Sequence, residues 1–137
     1  MYISLPISWD HIHPVLVHFT TALLPVSFVS DIAGKFGGRP TLTAAGWWSL
    51  FYGAVATPLT ALAGWMWAAD SANTGRLLFT HKWLGLSLVV AFSGMAIWRG
   101  RLFILSRAPG AIYFLAAAAV NAALLYQGYL GGKMTLG

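Results

Sequence analysis

Four long apolar blocks separated by short polar breaks account for nearly the whole chain. Blocks of this length predict membrane-spanning helices over about residues 14–30, 42–68, 77–98 and 111–130. His13 stands at the mouth of the first block, and Pro14 suits its first helical position, where a missing N–H has no partner to lose. Pro25 and Pro58 fall inside the first and second blocks as expected kinks. The breaks are DIAGKFGGRP, the polar turn at 69–76, and GRLFILSRAPG. The fold class is therefore all-α, an integral membrane four-helix transmembrane bundle formed by a single domain, 1–137.

Composition agrees. The chain is 58% hydrophobic, with a mean hydropathy of +0.72, too greasy for a soluble core of 137 residues. Its net charge of +5 does not point to nucleic acid, because the cations sit in ones and twos beside apolar runs. No cysteine is present, which excludes thiolate chemistry and iron–sulfur ligation. The N-terminus lacks a basic n-region, so the first apolar block is expected to stay as a helix.

Segments 31–40 and 99–107 carry Lys35, Arg39, Arg99, Arg101 and Arg107; the opposite side carries Arg76, Lys82 and Lys133. Five cations against three orient both termini and the 69–76 turn to the outside of a bacterial inner membrane. The tryptophans cluster near the block ends, where interfacial anchoring accounts for them. Gly53 and Thr57, then Ala56, Thr60 and Gly64, with Gly85 and Ala117, supply small residues that let helices approach closely.

Chemistry concentrates in the histidines. His18 lies four residues beyond Pro14 and His81 four beyond Leu77, so each sits roughly 6 Å into its helix from the same side. Two imidazoles at one depth on different helices suit axial ligation of a b-type haem, with Phe19, Phe79 and Trp83 as walls and Asn121 at a cofactor edge. His13, His18, His81 and Asp70 form an alternative donor set for a single metal ion. The plainer accounts are interhelical hydrogen bonding for His18 and Asn121, an interfacial place for His81, a cap for His13, and a water-facing place for His11. Asp31 is expected to pair with Lys35 or Arg39, and Asp70 to cap the third helix or pair with Arg76 and Lys82. HExxH, GxSxG and phosphate-loop motifs are absent, so no hydrolase is indicated.

His13-Pro14, Val17-His18-Phe19, Asp31, Gly64, Asp70, His81 and the closing Gly128-Tyr129-Leu130-Gly131-Gly132-Lys133 resemble the prokaryotic membrane family called domain of unknown function 2231. The resemblance implies four spans and recurring polar residues at His13, His18, Asp31, Asp70 and His81. It also implies a redox setting, since some relatives are fused to, or encoded beside, cytochrome c or other redox modules. This chain differs in having Thr20 where many relatives have proline, and in stopping at Gly137 where relatives continue. The reading is a haem-binding electron-transfer subunit rather than an enzyme, with cytochrome c or a larger redox complex as partner. The alternatives are a cofactor-free structural subunit, a mononuclear metal protein, and a quinone-handling module.

Overall fold

The structure, a computed structural model, describes residues 8–71 and 74–136. The segment 1–7, residues 72–73 of the expected 69–76 turn, and Gly137 lie outside the described residues. Four helices follow in order: α1 Trp9–Gly37, α2 Pro40–Asp70, α3 Arg76–Ile104 and α4 Ala111–Leu136. Each packs on its sequence neighbours and α4 closes back on α1, so α1 faces α3 across the bundle and α2 faces α4. One end of the bundle carries His13 and His81, the other Arg99 (below, the histidine end and the arginine end).

Each helix runs past its expected span, α4 at its C-terminal end alone. α1 begins five residues earlier than the apolar block, which places Pro14 inside it rather than at its first turn. It passes through Pro25 and stops at Gly38, whose φ of +61° admits glycine readily and lets the chain reverse. Pro40 then opens α2, where its absent N–H costs nothing. α3 continues to Ile104 and takes in Arg99 and Arg101, which the sequence reading had assigned to a loop.

Among the described residues, three helices are long and apolar enough to cross a membrane: α1, α3 and α4. α2 carries Trp47, Trp48, Trp65 and Trp67 with several glycines and threonines, residues that dilute hydropathy without adding charge.

Close packing of α1 on α2 depends on glycine. A Cβ at Gly53 would meet Leu24 at 2.6 Å, one at Gly46 would meet Asp31, and one at Gly34 would meet Thr43. With lipid as solvent, such contact replaces hydrophobic burial as the source of helix association. Leu24, Leu50, Leu88, Phe92, Met95 and Leu124 fill the centre.

The arginine end is locked by a buried ion pair. Arg99 donates from Nε to Asp31 Oδ2 at 2.9 Å and from Nη2 to Asp31 Oδ1 at 2.8 Å. Nη2 also reaches the Thr43 carbonyl at 3.0 Å, and the Tyr113 hydroxyl donates to Asp31 Oδ2 at 3.2 Å. All four helices thus meet at one ion pair, α2 through the Thr43 carbonyl on Arg99, and Arg99 and Asp31 are 0% and 1% exposed. The expected pairing of Asp31 with Lys35 or Arg39 is corrected. Lys35 instead donates to the Pro109 carbonyl and lies over Phe114.

Candidate functional site at the histidine end

A cavity of about 540 Å³ opens at the histidine end, within the size range of cofactor pockets. All four helices contribute to its wall, which is apolar apart from a few polar side chains. His13, His18 and His81 all line it, and Lys82 is a charged residue of its wall; among the described residues no carboxylate takes part.

His13 is carried on the first turns of α1 and its Nδ1 lies 3.0 Å from the Thr60 carbonyl of α2. A carbonyl only accepts, so Nδ1 donates, and the neutral ring keeps its lone pair on Nε2. The ring fits because residue 64 is glycine: a Cβ there would stand 2.7 Å from His13 Cε1. His18 is held in the same way by its own helix, with Nδ1 donating to the Pro14 carbonyl at 2.6 Å and Nε2 left over. It is exposed where His13 is half-buried.

His81 is tied to α4. The Gln127 amide nitrogen donates to the His81 carbonyl at 2.9 Å, which fixes the amide's orientation, and it lies 3.3 Å from His81 Nε2. Glycines again make room: Gly85 for Gln127 and Gly131 for His81. Lys82 turns onto the Trp65 ring, 4.1 Å from its centroid, and Trp65 meets Trp83 edge-on across the α2–α3 seam.

The depth arithmetic changes with the start of α1. His13 is about 6 Å into α1 and His81 about 7.5 Å into α3, while His18 lies about 13.5 Å in. The equal-depth pair is therefore His13 with His81, not His18 with His81. Phe19, Phe79 and Trp83 are exposed and stand outside the cavity wall. Asn121 is buried nearer mid-bundle, donating to the Ala117 carbonyl of its own helix rather than bridging helices or edging the cavity. Asp70 is exposed at the end of α2, also outside the wall. Among the described residues no group of three or more His, Cys, Asp or Glu comes together, so the mononuclear donor set of His13, His18, His81 and Asp70 is not assembled. His11 is exposed beside Ser8 and Asp10.

Gln127 is the site residue that the sequence reading missed. Its signal was available: it is the polar residue of the fourth block one turn before the Gly131-Gly132 pair.

Apolar helices of spanning length around an internal polar site define a small multi-helix membrane protein. The chain belongs to the family of predicted membrane proteins DUF2231, whose sequence pattern matches residues 10–137. No curated protein and no solved structure matches it.

Proposed function

We propose that this protein is a membrane-embedded redox subunit that holds a b-type haem in the histidine-end cavity, with His13 and His81 as the axial pair. The observation that carries the reading is three imidazoles on the facing helices α1 and α3 around one largely apolar cavity of about 540 Å³. Two of them have Nδ1 tied to a backbone carbonyl, the outer bond that orients a ligating histidine and leaves Nε2 for the metal. Lys82, in a wall whose described residues include no carboxylate, suits the propionate edge of the ring. His81 would offer Nε2 in exchange for its 3.3 Å contact with Gln127, whose shorter bond to the His81 carbonyl can persist.

All four helices cross the membrane in this reading, α2 included, with both termini outside. The exposed cations at the arginine end are Lys35, Arg39, Arg101 and Arg107, against Arg76, Lys82 and Lys133 toward the other. Burial of Arg99 narrows the bias without reversing it.

The test is a visible spectrum, oxidised and dithionite-reduced, of protein purified after expression with added haem. A reduced α-band that is lost in His13→Ala and in His81→Ala, and kept in His11→Ala, is expected. A colourless parent overturns the reading. The rival is a cofactor-free structural subunit, favoured by the ties His13–Thr60 and His81–Gln127, each of which joins two neighbouring helices. Gln127→Leu separates the two: the haem reading expects the α-band to survive it, whereas the structural reading expects only a loss of stability.

A further inference from the structure

The four seams between neighbouring helices are not closed alike. At the histidine end His13 on Thr60 fastens α1 to α2, Trp65 on Trp83 fastens α2 to α3, and Gln127 on His81 fastens α3 to α4. The α4–α1 seam is fastened at the arginine end, by Tyr113 on Asp31 and Phe36 beside Phe114. Toward the histidine end the same seam borders the cavity, with residues of α1 and α4 both in its wall. His18 and Gly128 border the cavity there, and both are exposed. A Cβ at Gly128 would meet nothing within 4 Å. His18 lies about 13.5 Å from the start of α1 and Gly128 about 12 Å from the end of α4, so the two share a depth. That depth is within the hydrocarbon for helices near 40 Å long in an apolar layer of roughly 30 Å.

We propose that the cavity is loaded sideways from the bilayer, through the seam between α1 and α4, with His18 as the threshold residue that holds the incoming haem. The inference rests on the haem reading and gives His18 a role that the deeper pair does not cover. Its Nδ1 is already engaged by the Pro14 carbonyl, so Nε2 is presented at the opening without further reorganisation. Gly128 keeps the sill low: a bulky side chain there would stand in the passage without striking the bundle.

Purified protein reconstituted in phosphatidylcholine vesicles that carry haem in their bilayer supplies the test, with loading followed as the rise of the Soret band. Gly128→Trp and His18→Ala are expected to load at least tenfold more slowly, and His18→Ala to reach the parent's final absorbance. Gly94→Trp is the control, since Gly94 is also exposed with open space at its Cβ but lies away from the cavity wall; it is expected to load at the parent's rate. Loading of Gly128→Trp and His18→Ala within twofold of the parent overturns the proposal. A parent that takes up no haem, here or during expression, overturns the haem reading itself. The lateral opening is then decided by a nitroxide on Gly128→Cys, the chain having no other thiol. Greater collision with oxygen than with a water-soluble nickel chelate supports an opening to lipid, and the reverse result overturns it.

Discussion

Replacing Asp31 by Asn removes one charge and little volume, and it leaves the Arg99 guanidinium buried at 0% exposure without its counter-ion. Three nitrogen–oxygen contacts of 2.8–3.2 Å are weakened at once, and the Tyr113 hydroxyl loses an ionised acceptor. Breaking a buried pair from one side costs about 3–5 kcal/mol, because the remaining charge has no solvent to turn to. A membrane lowers this figure, since the unfolded helices also find partners, and single polar bonds between helices average only about 0.6 kcal/mol. The stranded charge decides the comparison. Asp31→Asn is expected to cost about 3 kcal/mol, against about 0.6–2 kcal/mol for Ser27→Ala, which removes one bond to the Gly46 carbonyl.

The assay is unfolding in mixed micelles by increasing dodecyl sulfate, followed by tryptophan fluorescence. Asp31→Leu combined with Arg99→Met removes both charges. It is expected to cost at least about 2 kcal/mol less than the sum of its two single changes, because neither leaves an unpaired ion. Additive losses, or an Asp31→Asn cost no larger than that of Ser27→Ala, would refute the argument that this pair locks the arginine end.

Gly46→Ala places a Cβ 2.5 Å from Asp31 Oδ1 and 3.1 Å from its backbone nitrogen, so it should destabilise by about 1–3 kcal/mol in the same assay. Gly94→Ala meets open space and should gain about 0.5–1 kcal/mol from helix propensity alone; equal effects of the two would contradict the contact geometry. Gly64→Ala should displace the His13 ring and, under the haem reading, shift or abolish the reduced α-band; an unchanged spectrum would count against His13 as a ligand. A reporter fused after Gly137 is expected to work only outside the cytoplasm, and activity confined to the cytoplasm would reverse the orientation.

The number and order of the helices were legible because hydropathy blocks and Pro/Gly punctuation are local signals. Helix ends were not. The run WDHIH reads as a mouth by polarity, yet it is helical, since a helix that clears the hydrocarbon can carry polar residues in its first turns. That extension moved the depth origin of α1 and exchanged His18 for His13 as the partner level with His81.

The same displacement hid the strongest polar feature of the molecule. Arg99 directly follows an apolar block and Asp31 closes another, so each reads as a loop charge when taken alone. Their partnership spans 68 positions, and no local pattern reports it. Depth does: Asp31 lies about 9 Å from the end of α1 and Arg99 about 7.5 Å from the end of α3, on the same side of the bundle. Once the true ends of α1 and α3 are known, that arithmetic puts Asp31 and Arg99 level with each other on facing helices. An unpaired ion at that depth is costly, so pairing is the outcome physics favours. The histidine end offers no such forced solution, because neutral imidazoles can be satisfied by carbonyls, amides or a metal alike. Its pairing therefore had to be read from the observed helix starts, with Gly64 making room for His13 and Gly131 for His81.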